Sequence, residues 1–157
     1  SKNIFLELLE GNFTGAGNVN LNFSGNINIT INGRGMDKTI MDETPIDTVF
    51  QPSITLTPGA GKFVLANLTF TSGVIKYNQT NLNTPVSDNI IIPIGVNAYI
   101  ENVNFTKNNG YNGGVFNNDG KLEIVIDAIL WDIPEIYVIR LNEANEKELC
   151  LYGNFAW

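Results

Sequence analysis

Phe63-Val64-Leu65-Ala66-Asn67-Leu68-Thr69-Phe70 returns 35 residues later as Ala98-Tyr99-Ile100-Glu101-Asn102-Val103-Asn104-Phe105. Both octets end in the order apolar, any residue, Asn, apolar, polar, Phe. Both run into short polar stretches, Thr71-Ser72-Gly73 and Thr106-Lys107-Asn108. Leu122-Glu123-Ile124-Val125-Ile126 reads as a third copy, about 24 residues on, with Ile126 in place of the Asn. Alternation of apolar and polar residues is the signature of a half-buried strand. Its return at a fixed spacing of 20 to 50 residues is the signature of a repeat architecture. A spacing of 24 suits one coil of a parallel β-helix, and 35 suits a coil with an insertion, placed between Lys76 and Asn89.

Outward from these copies the same texture continues. Short alternating stretches are expected as strands at Ile4–Leu9, Val19–Phe23, Ile27–Ile31, Thr39–Met41, Ile54–Leu56, Ile90–Ile94, Val115–Phe116, Ile136–Leu141 and Leu149–Phe155. Gly, Asn and Pro punctuate the gaps, as in Asn32-Gly33-Arg34-Gly35 and Pro58-Gly59-Ala60-Gly61. No long stretch carries a helical period. The expected fold is all-β, a right-handed parallel β-helix of roughly five coils of about 20 to 25 residues. Residues 1–128 form the coils, with an insertion loop at about 76–89, and residues 129–157 form an atypical terminal coil or cap. Aliphatic residues and Phe23, Phe63, Phe70 and Phe105 are expected to face inward. The competing arrangement, an antiparallel β-sandwich, would not repeat residue by residue.

The recurring Asn has a physical use. Stacked strands lie about 4.8 Å apart, so equivalent side chains come into register. An Asn amide can then bond the coil above and the coil below, and Asn67 and Asn102 are expected to form such a ladder. Asn also tolerates the left-handed backbone of a sharp corner.

The composition narrows the function. The chain has 157 residues, 43% of them hydrophobic and only 16% charged, with a net charge of −7. Nine Lys and Arg without clustering give no basic stripe for nucleic acid. No apolar run approaches a membrane span. There is no His, which removes histidine-based triads and histidine metal sites. The single Cys150 reads as a buried thiol, and no phosphate-binding or dinucleotide fingerprint occurs. No cofactor is expected.

The carboxylates weighed for catalysis are Asp37, Asp42, Glu43, Asp47, Asp88, Glu101, Asp119, Asp127 and Asp132, with Arg34 and Arg140 as the only arginines. Glycoside hydrolysis needs two carboxylates flanking one bond. Glu101 is placed to meet a partner on the next coil. Calcium at Asp42-Glu43 and Asp47 is the one metal reading the residues permit. Asn-x-Ser/Thr sequons start at Asn12, Asn22, Asn28, Asn67, Asn78 and Asn104. Asn78, in the expected insertion loop, is the best acceptor for a glycan, with Asn12, Asn22 and Asn104 behind it. Asn67 is the worst if it stands in a ladder.

At these residues a family resemblance emerges. Ile4-Phe5-Leu6, Glu10-Gly11-Asn12-Phe13-Thr14-Gly15-Ala16-Gly17-Asn18, Ile27-Asn28-Ile29-Thr30-Ile31-Asn32-Gly33 and Lys38-Thr39-Ile40-Met41-Asp42 resemble the start of a β-helix domain in adhesin-like surface proteins, which are numerous in methanogenic archaea. Asn67-Leu68-Thr69-Phe70 with Gly73 is similar to their next coil. Phe105-Thr106-Lys107-Asn108 and Gly113-Gly114-Val115-Phe116-Asn117 resemble the repeats of bacterial polymorphic outer-membrane proteins. The resemblance covers about Ile4 to Ile126 and stops where no further Gly-Gly or Phe-x-x-Asn follows.

The resemblance implies a non-catalytic extracellular or cell-surface module, adhesin-like or structural, for attachment or assembly. Its partners would be other protein chains or surface glycans, with self-association through open β-helix ends. The alternatives are a polysaccharide lyase or glycoside hydrolase of the β-helix type, and a carbohydrate-binding module. The last would show exposed aromatics such as Tyr77, Tyr99, Tyr111 or Trp131 along one face.

Overall fold

The structure is a computed structural model and describes residues 2–46, 52–59, 61–73, 89–108, 115–125, 138–141 and 147–150. Every regular element among them is a strand. In chain order these are β1 (Lys2–Glu7), β2 (Gly11–Phe13), β3 (Leu21–Phe23), β4 (Ile27–Asn32), β5 (Thr39–Asp42), β6 (Ile54–Leu56) and β7 (Lys62–Thr71). They continue with β8 (Ile90–Ile92), β9 (Asn97–Thr106), β10 (Phe116–Asn118), β11 (Lys121–Val125), β12 (Val138–Leu141) and β13 (Lys147–Cys150).

From β1 to β11 all pairing is parallel, and the chain revisits the same columns of strands in the same order. One column runs β1-β4-β7-β9-β11. A second runs β2-β5-β7-β9, through the later halves of the two long strands. The third, a separate sheet, runs β3-β6-β8-β10. Each passage through the columns makes one tier. The two octets lie on adjacent strands, with Phe63 paired to Ala98 and Phe70 to Phe105. The third copy follows in register, Leu122 beside Ala98 and Val125 beside Glu101.

The core sits between the columns. Ile29, Ile31, Phe63, Leu65, Ile100, Leu122 and Ile124 fill it from the first column, and Met41, Leu68, Phe70, Val103 and Phe105 from the second. Ile54, Leu56, Ile90, Ile92 and Phe116 fill it from the third. Burying a Leu, Ile or Phe side chain contributes about 1.5–3 kcal/mol, so this apolar interior is what holds the tiers together. Phe70, Phe105 and Phe116 pack as tilted and edge-on rings, with centroids 5.8 and 5.3 Å apart, the geometry that aromatic quadrupoles favour. Phe23 packs against this core but is only half-buried, because it belongs to the first tier, which has no tier beyond it among the described residues.

Two expectations need correction. β2 escapes sequence reading: it has only three residues and starts on Gly11, so no alternation announces it. The tiers are not uniformly 20 to 25 residues, for the step from Ile29 to Phe63 is one residue shorter than that from Phe63 to Ala98. The first of these long steps comes partly from the corner between β4 and β5, which is a loop over residues 33–38, whereas the corners of β7 and β9 are single residues. The loop keeps its backbone satisfied. Gly33 and Gly35 donate to the carbonyls of Ala66 and Asn67, Arg34 N–H donates to Thr39 Oγ1, and Thr69 Oγ1 donates to the Met36 carbonyl. A Cβ on Gly33 would stand 2.8 Å from Thr39 Cβ and press on the Asn67 carbonyl, so the loop can hug the next tier only with Gly there. Beyond the parallel columns, β12 and β13 pair antiparallel, and β12 lies against β10 and β11. Most of the expected insertion loop, residues 74–88, lies outside the described residues. So do residues 129–137, 142–146 and 151–157.

Candidate functional site

The outer surface of the first column is built in registered rows. Strand residues alternate inward and outward, so each row takes one residue from each strand. One row is Asn3, Asn28, Lys62, Asn97 and Lys121. The next is Phe5, Thr30, Val64, Tyr99 and Glu123. The third opens Glu7, Asn32, Ala66, Glu101.

Hydrogen bonds between tiers fix two of these rows. Asn28 donates to Asn3 Oδ1 at 2.9 Å and accepts from the Lys62 N–H at 3.0 Å. In the third row Asn32 donates to the Glu7 carboxylate at 3.2 and 3.1 Å, and the chain of bonds continues into the corner residues that follow Ala66 and Glu101: Asn67 donates to Asn32 Oδ1 at 2.8 Å and Asn102 to Asn67 Oδ1 at 3.2 Å. The structure thus brings Asn67 and Asn102 together, both with left-handed backbones at φ 58° and 50°. It adds Asn32 and Glu7, which sequence reading missed because neither lies in a matching octet. A carboxylate accepts without donating, so Glu7 ends the chain of amide donors.

Beside the first row lies an open groove of about 530 Å³, within the range of ligand pockets. Gly61 and Gly95 form part of its lining. A Cβ on Gly61 would stand 2.6 Å from Asn28 Oδ1. Around it stand Asn28, Lys62, Asn97, Tyr99, Lys121 and Glu123. Lys62, Asn97, Lys121 and Glu123 are exposed, and Tyr99 is half-buried. Desolvation first, then the Glu101 and Glu123 carboxylates, holds the Tyr99 hydroxyl above its ordinary pKa, so it remains a neutral donor at physiological pH.

The other sites read from the sequence scatter. Asn12 and Asn22 are exposed, on β2 and β3. Asn104 is half-buried, and its Oδ1 is enclosed with no hydrogen-bond partner among the described residues, a poor position for a glycan. Asn78, Tyr77, Tyr111, Trp131, Asp47, Asp88, Asp127 and Asp132 lie outside the described residues. Asp42 accepts from the backbone and hydroxyl of Thr44. Among the described residues no group of three or more acidic, His or Cys side chains is placed to hold a metal ion, and no helix is long and apolar enough to cross a membrane.

Glu43 is the unexpected residue. A carboxylate is ordinarily solvated, yet Glu43 is 2% exposed and, among the described residues, neither oxygen has a hydrogen-bond partner. The strand explains this: Thr39, Met41 and Glu43 alternate inward, and the Glu43 N–H is held by the Thr71 carbonyl. Burial, and then the neighbouring Asp42, pushes its carboxyl up to about 8. Comparison with protein-family models, with curated proteins and with solved structures finds no match.

Proposed function

We propose that the chain is a module of a right-handed parallel β-helix, that it works at the cell surface or outside the cell, and that it binds rather than catalyses. The observation that carries this reading is the outer face of the first column. Its rows are registered by side-chain hydrogen bonds between tiers, and it holds an open, mixed polar groove around one aromatic ring. That form suits an extended ligand lying on a surface more than a substrate enclosed for reaction. The antiparallel pair β12–β13, lying against β10 and β11, would cover the last tier, as terminal elements do in repeat proteins.

An antibody against the chain should label intact producing cells, and incubation with a glycan panel should release no reducing ends or unsaturated sugars. Confinement to the cell interior overturns the reading. A hydrolase remains the second reading because Glu101 and Glu123 stand on adjacent strands of one outer face, Glu123 beside Tyr99 in its row and Glu101 two residues along Tyr99's own strand. Release of reducing ends, lost in Glu123→Gln, would establish it instead.

A further inference from the structure

We infer that the groove beside Lys62, Asn97 and Lys121 binds an anionic glycan, one carrying carboxylate or sulfate groups along a sugar chain. The inference rests on the binding-module reading and names the ligand class of that same face.

The charge comes first. Lys62 and Lys121 pair with the same residue, Asn97, from opposite sides. Two strand steps separate them, about 10 Å at the backbone. Among the described residues neither has a carboxylate within ion-pair distance, whereas Lys38 reaches Glu10 at 3.4 Å. Two exposed ammonium groups along one groove, with no ion pair among the described residues in a chain of net charge −7, favour an anionic ligand there. Their separation along the stacking direction suits anions repeated along a polymer better than one small ion.

The remaining lining points to sugar. The amides of Asn28 and Asn97 offer donors and acceptors, the pairing that hydroxyl groups need. Tyr99, between Val64 and Glu123, presents an aromatic surface against which a sugar ring can pack. Glu123 accepts hydroxyl donors and, being on the Tyr99 row and not the lysine row, repels the ligand's anions toward Lys62 and Lys121. An acidic peptide would use the lysines but would have little use for the ring and the carboxylate.

Calorimetry on the 157-residue chain tests this with a polyuronate, a sulfated glycosaminoglycan, a neutral β-glucan and poly-glutamate. At least one of the two anionic glycans should bind, and the two arms separate carboxylate from sulfate recognition. Lys62→Gln and Lys121→Gln should each weaken binding about tenfold, as loss of a charge-assisted contact does. Tyr99→Ala should weaken it similarly. All three positions are on the outer face, and an unchanged circular dichroism spectrum and melting temperature show that a loss is not unfolding. Failure of both anionic glycans to bind overturns the proposal. So does equal binding of the neutral glucan, or poly-glutamate binding that ignores Tyr99→Ala. None of these results touches the surface-module reading, which labelling of intact cells decides separately.

Discussion

The amide of Asn102 donates to Oδ1 of Asn67 at 3.2 Å, and each of the two residues turns its strand through a left-handed corner. One residue type thus meets two demands. It accepts a backbone that most side chains resist, and it links neighbouring tiers.

Asn67 carries both ladder bonds, one given and one received. Asn67→Ala should therefore lose the bonds and strain the corner, costing about 2–4 kcal/mol. Asn67→Gly relieves the strain and should cost about half as much, since only the bonds are lost. Urea unfolding of the two variants checks the order, and equal losses would refute the role of the left-handed backbone.

Glu43 makes stability depend on pH. Its carboxyl is raised from 4.5 to about 8 in the folded chain, by burial first and then by Asp42. The fold therefore holds a proton that the unfolded chain releases near pH 4.5. This contribution is complete below about pH 4.5, declines as pH rises through the interval, and is gone above about pH 8. The loss is on the order of a few kcal/mol. Glu43→Gln should flatten this part of the profile and be more stable than the parent at pH 9. Melting temperatures from pH 4 to 9 measure it.

Phe105 touches both Phe70 and Phe116, joining the second and third columns. Phe105→Ala should cost about 3–5 kcal/mol through lost burial and an unfilled cavity. Phe105→Leu should cost clearly less. Chemical denaturation distinguishes them.

Gly33 sits where a methyl group would meet Thr39 Cβ at 2.8 Å. Packed backbone cannot yield cheaply, so Gly33→Ala should cost about 1–3 kcal/mol. Gly17, with φ +89° and nothing within 4 Å of its would-be Cβ, should lose only about 1–2 kcal/mol to backbone strain on the same substitution. Thermal melts of the pair separate crowding from conformation.

The first tier exposes apolar side chains, Phe5 at 70% and Leu9 at 63%, and among the described residues β1 pairs on one side only. Open edges with apolar side chains invite association. Phe5→Lys with Leu9→Lys should leave stability within about 0.5 kcal/mol and lower the apparent mass at high concentration. Light scattering reads this out, and an unchanged mass would show that these two side chains do not drive association.

The sequence by itself determined the strands other than β2 and the sites of the single-residue corners. Local alternation fixes which residues of a strand face inward, and the returning Asn marks a corner wherever the corner is a single residue, as at Asn67 and Asn102. The stacking of the two octets was also legible, because a shared order over their last six residues implies equivalent surroundings. Tertiary structure alone decided what lies beside what when the copies are unequal. Asn32 joins the ladder although a loop over residues 33–38 replaces its one-residue corner. Lys62, Asn97 and Lys121 form a row only through the pairing register of three strands. Glu43 is buried although a charged residue is ordinarily solvated. The physical reason is common to all three. Side-chain direction has a period of two and is written locally, whereas register between tiers depends on the lengths of the connections, which no local pattern specifies.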